Sequence, residues 1–82
     1  MPRRLKRLSG EQVVAALLRH GFAEVSRRGS HAKLRRVGSD GKRQTIVVPV
    51  HLHLATGTLG AIVREASRYL SAQQIAREFY TR

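Results

Sequence analysis

With 82 residues, sixteen Lys and Arg against five Asp and Glu, and a formal net charge of +11, the chain has room for one compact core and not for two. A domain of this size buries only about 60% of its unfolded surface, which disfavours a deep substrate pocket, while the charge points to a polyanionic partner. The absence of cysteine excludes a disulfide framework or thiolate metal site and fits a reducing cytoplasm; no apolar run reaches signal-peptide or membrane-span length, so no membrane role is expected.

Residues 1–8, which include Arg3, Arg4, Lys6 and Arg7, are expected to form a basic flexible arm ahead of a single domain over 9–82. Ser9 stands three residues before Gln12, the spacing of a capping box, and Val13, Val14, Leu17 and Leu18 recur at helical intervals. A first helix therefore closes at His20-Gly21, where a basic side chain suits the negative end of the dipole. From Phe22 to Arg28 and from His31 to Val37 the pattern changes to two-residue alternation around Gly29-Ser30, which predicts two antiparallel strands. Gly38-Ser39-Asp40-Gly41 reads as a hairpin connection, and the β-branched stretch from Gln44 to Val50 as a third strand with Pro49 near its end.

Beyond His51-Leu52-His53-Leu54, Thr56 or Gly57 can open a second helix, whose stripe is Leu59, Ile62, Val63 and Ala66. Ser71 with Gln74 repeats the capping-box spacing, and Ile75 with Phe79 supplies the apolar face of a short C-terminal helix. The order is that of an α+β domain, α-β-β-β-α plus the short helix, with a three-stranded antiparallel sheet and helices on one face. On the second strand His31, Lys33 and Arg35 then share one face, while Ala32 and Leu34 turn to the core.

The densest charge lies between Ser26 and Gln44, where Arg27, Arg28, Lys33, Arg35, Arg36, Lys42 and Arg43 face only Asp40. Imidazole titrates near neutrality without special tuning, so His31 among phosphate-binding cations is a candidate general base or acid for RNA cleavage. On composition alone, a strand-edge imidazole that only donates a hydrogen bond ranks ahead of that catalytic role. Metal-dependent hydrolysis lacks its carboxylates: Asp40 is in a turn, Glu24 on a strand, and Glu11, Glu65 and Glu78 on three helices. His51 and His53 have no evident third zinc ligand, and no glycine-rich phosphate loop is present, so neither metal nor cofactor is expected.

The ordered set His20-Gly21-Phe22, Arg28-Gly29-Ser30-His31, Asp40-Gly41, Val48-Pro49-Val50-His51 and Gly57-Thr58-Leu59 before Ile62 resembles the HicA toxins of bacterial type II toxin–antitoxin pairs. The likeness runs from about Ser9 to Phe79. It implies a double-stranded-RNA-binding-domain-like fold and a metal-independent endoribonuclease, an mRNA interferase, whose reactive histidine is His31. It also implies inhibition by a HicB-type antitoxin in a hetero-oligomer, with mRNA as substrate in the cytoplasm. Arg27, Arg28, Ser30, Lys33, Arg35 and His51 are the candidate RNA contacts. The alternative is a noncatalytic module that binds double-stranded RNA by shape and phosphate contacts.

Overall fold

The computed structural model describes residues 4–81; Met1, Pro2 and Arg3, the start of the expected arm, and Arg82 lie outside the described residues. The elements follow in the order α1 (Gly10–Arg19), β1 (Ala23–Arg28), β2 (His31–Val37), β3 (Arg43–Pro49), α2 (Thr56–Ala66) and α3 (Ala72–Phe79). The strands form one antiparallel sheet in the order β1-β2-β3. One core cluster joins Ala32, Leu34, Ile46 and Val48 of the sheet to Val13, Val14 and Leu17 of α1, Leu59, Ile62 and Val63 of α2, and Ile75 and Phe79 of α3. Helices thus cover one sheet face, as the α+β reading requires.

Both capping boxes form. The Ser9 hydroxyl accepts from the Gln12 amide at 3.1 Å while the Gln12 side chain accepts from the Ser9 amide at 2.8 Å. Ser71 and Gln74 repeat the exchange at 3.1 and 2.9 Å. Each box satisfies two backbone donors that a helix start would otherwise leave without partners. Helix α2 begins at Thr56 without a side-chain cap and is held by its buried stripe of Leu59, Ile62, Val63 and Ala66, each large member contributing about 1.5–3 kcal/mol on burial.

Three expectations shift. Leu18 is 48% exposed, because Leu17 occupies the centre of the buried stripe and the next residue lies about 100° around the helix. Strand β1 begins at Ala23, after a buried Phe22, and is exposed along its whole length; it is an edge strand that pairs with β2 alone. Arg4 to Leu8, part of the expected flexible arm, are docked: Leu5 pairs with Tyr80 in an antiparallel bridge. The Lys6 amide donates to Phe79 O and the Thr81 amide to Arg4 O, both at 2.8 Å. Leu5 and Leu8 pack against the core, and that burial together with the backbone pairing holds the segment down.

The end of α1 is tied to the rest of the molecule by two charged groups. Arg36 donates from Nη1 to His20 O at 2.8 Å, from Nη2 to Tyr69 O at 3.0 Å and from Nε to Gln44 Oε1 at 2.7 Å, with its guanidinium carbon 4.8 Å from the Phe22 ring centre. A residue counted in the phosphate-binding stretch is therefore a structural tie. Glu78 of α3 accepts from Arg19 at 2.7 Å and lies 2.7 Å from His20 Nε2. The Arg19 hydrogen bond and then His20 hold its carboxyl below the ordinary value.

Candidate functional site

Arg28 and His31 face each other across a two-residue loop. Gly29 has φ +54° and Ser30 does not have a positive φ, the pattern of a type II′ hairpin turn, in which glycine takes the first central position. The loop is closed further by the Val50 amide, which donates to Ser30 O at 2.6 Å. His31 is thereby the first residue of β2, flanked by Arg28 on one side and Pro49 on the other.

Alternation settles which neighbours share its face. Ala32 and Leu34 are fully buried, so His31, Lys33, Arg35 and Val37 turn to the side free of helices. The register adds Arg28, Ser26 and Ala23 from β1, and Pro49, Val47, Thr45 and Arg43 from β3. Ser26, Arg28, His31, Lys33 and Val47 line an open depression there. His31 and Lys33 are exposed, and Val47 is 47% exposed.

One irregularity decides the electrostatics of this face. Between Glu24, opposite Leu34, and Ser26, opposite Lys33, β1 carries an extra residue. Strict alternation back from Arg28 and Ser26 would put the Glu24 carboxylate on the His31 face. The bulge reverses its side, and Glu24 binds Arg27 instead, at 2.9 Å. Arg28, Lys33, Arg35 and Arg43 therefore share an open sheet face to which the three strands contribute no carboxylate. Among the described residues no ion pair involves Arg28, His31 or Lys33; the glutamates pair instead with Arg27, Arg19, His20 and Arg68.

The candidate RNA contacts thus divide. Arg28 and Lys33 stand beside His31, and Arg35 lies one row further on, its Nε 3.5 Å from Thr45 Oγ1. Arg27 is not with them. It lies opposite Ala32 on the helix-facing side, with Glu11 accepting at 2.7 and 3.0 Å and Glu24 at 2.9 Å. Those bonds hold both carboxyls below their ordinary value and raise Arg27 further. Ser30 contributes its carbonyl to the turn, and His51 is exposed just beyond the end of β3. Ser26 and Val47 join the site unanticipated: only the cross-strand register sets both of them opposite Lys33.

Chemically, the face offers the His31 imidazole set among cations on an open surface, suited to a phosphodiester backbone. Among the described residues no three His, Asp or Glu side chains gather in a group able to hold a metal ion, and no helix is long and apolar enough to cross a membrane. A family model described as the HicA toxin of bacterial toxin–antitoxin systems matches residues 10–67, from the start of α1 to just past α2. No curated protein matches the chain.

Proposed function

The chain belongs to the HicA toxin family of bacterial toxin–antitoxin systems, and from that premise we propose that it is a metal-independent endoribonuclease that cleaves mRNA in the cytoplasm, with His31 as its catalytic residue. The observation that carries the proposal is the place of His31, exposed on a carboxylate-free sheet face between Arg28 and Lys33. Neutral imidazole removes the proton of a ribose 2′-hydroxyl, whose oxygen attacks the adjacent phosphorus. Arg28 and Lys33 stabilise the charge that builds on the phosphorane oxygens, where fixed cations act most strongly. Arg35 holds a neighbouring phosphate, and Ser30 and His51 contact the strand at the turn end of the sheet. The whole activity resides in one domain, the expected 9–82 extended by the docked segment from Arg4 to Leu8. A HicB-type antitoxin, acidic where it meets this face, inhibits by covering it in a hetero-oligomer.

Incubation of RNA with the protein in excess chelator tests this directly. Cleavage to 2′,3′-cyclic phosphate and 5′-hydroxyl ends is expected, and loss of cleavage in His31→Ala with retained folding. Unchanged cleavage in that variant would remove His31 from the mechanism. The second reading, a noncatalytic double-stranded-RNA-binding module, is favoured by the α-β-β-β-α order alone. It predicts binding that His31→Ala hardly alters and no cleavage at all.

A further inference from the structure

One imidazole cannot both take the 2′-hydroxyl proton and deliver a proton to the departing 5′-oxygen in the same step. Resting on the ribonuclease reading above, we propose that His51 is the general acid, completing an acid–base pair with His31 across the β2–β3 ladder.

The backbone argument begins at Pro49, the register partner of His31. Pairing continues past it, because the Val50 amide donates to Ser30 O at 2.6 Å. Val50 packs against the core, so the following residue emerges on the opposite side, the side of Pro49 and His31. The Gly10 amide donates to His51 O at 2.8 Å, which anchors the His51 backbone to the start of α1. His51 is thus the diagonal cross-strand neighbour of His31, at a regular-sheet spacing of roughly 7–8 Å. Both side chains are exposed. A phosphodiester lying over Pro49 can be met by one imidazole from each side, with Lys33 and Arg28 placed around the His31 end.

The other neighbours are poorer acids. A guanidinium donates hydrogen bonds without giving up its proton, and imidazolium is a stronger acid than alkylammonium by about four pK units. In the step itself the His31 imidazole takes the 2′-hydroxyl proton and the 2′-oxygen–phosphorus bond forms. The phosphorus–5′-oxygen bond breaks as the His51 imidazolium gives its proton to that oxygen. The products are a 2′,3′-cyclic phosphate and a 5′-hydroxyl, and exchange with water resets the two rings.

A substrate whose leaving group needs no proton separates an acid from a contact. RNA carrying a 5′-bridging sulfur releases a thiolate, the conjugate base of a thiol of ordinary pKa about 8.5, far easier to expel than an alkoxide. His51→Ala is expected to slow cleavage of all-oxygen RNA by about 10²- to 10⁴-fold and to cleave the sulfur substrate within about tenfold of the unaltered protein. His31→Ala is expected to be slow on both, and His53→Ala normal on both. Equal loss on the two substrates in His51→Ala, or no loss on either, overturns the assignment of His51 as the acid while leaving His31 in place. An unaltered protein inert toward both substrates overturns the ribonuclease reading and the pair with it.

Discussion

Gly10 provides a test in which two elementary effects carry opposite signs. It is the first residue of α1, and helix propensity alone predicts that Gly10→Ala stabilises the protein by up to about 1 kcal/mol. The packing predicts the reverse. A Cβ at Gly10 would overlap the carbonyl oxygen of Pro49 and the α-carbon of Val50 and stand 2.9 Å from the Pro49 carbonyl carbon, all of them backbone atoms. Such overpacking costs about 1–3 kcal/mol, and displacing α1 weakens the Gly10–His51 hydrogen bond, worth about 1 kcal/mol. The net expectation is a loss of about 2 kcal/mol, or a thermal midpoint lower by roughly 8–16 °C in a domain of this size. Gly57→Ala, in α2 with nothing within 4 Å of its added Cβ, is the matched control and should raise the midpoint by a few degrees. Far-UV circular dichroism melts of both variants decide the matter. A Gly10→Ala protein that melts at or above the unaltered one would refute the tight contact between α1 and the end of β3. Because Pro49 is the partner of His31, Gly10→Ala should also lose cleavage at temperatures where it remains folded, and Gly57→Ala should not.

The division of the arginines is open to salt titration on single-stranded DNA of matching sequence. Lys33→Ala and Arg35→Ala should each flatten the log–log slope by about 0.7, whereas Arg27→Ala, whose guanidinium is held by Glu11 and Glu24, should leave it unchanged; equal flattening would contradict the register. Arg36→Met should cost about 2–3 kcal/mol in urea unfolding through loss of its hydrogen bonds to two backbone carbonyls and Gln44, with no effect on the salt slope. Acid should destabilise the protein through its glutamates. The carboxyls of Glu11, Glu24 and Glu78 lie below their ordinary value of 4.5, so their contribution is complete above that value and is lost as pH falls through the lower folded values. Thermal midpoints should therefore hold from neutrality to about pH 5 and then decline. In Glu78→Gln the decline should be shallower from a lower starting midpoint, and an equally steep decline would remove Glu78 from the acid response.

Local signals carried much of this protein in plain sight. Ser9 with Gln12 and Ser71 with Gln74 lie within four residues of each other, so both helix starts could be read from spacing. Strand β2 was readable over its whole length because Gly29-Ser30 and Gly38 bound an alternation whose buried members, Ala32 and Leu34, are apolar. That alternation also placed His31, Lys33 and Arg35 on one face. The net charge of +11 follows from composition alone.

Tertiary structure decided which charges remain on that face. Arg27 and Arg28 are adjacent and chemically identical, yet one is bound to Glu11 across 16 residues and the other stands beside His31. Arg36 reaches Tyr69 O, 33 residues away, and the chain from Arg4 to Leu8 meets Phe79, Tyr80 and Thr81 at the far end of the sequence. A one-residue bulge in β1 turned Glu24 from the open face to the helix side. Neighbouring residues along the chain can specify a turn or a cap, because the atoms involved are already close. Side-chain partners and cross-strand register depend on segments brought together by core burial, and a single extra residue in one strand changes the face of everything beyond it.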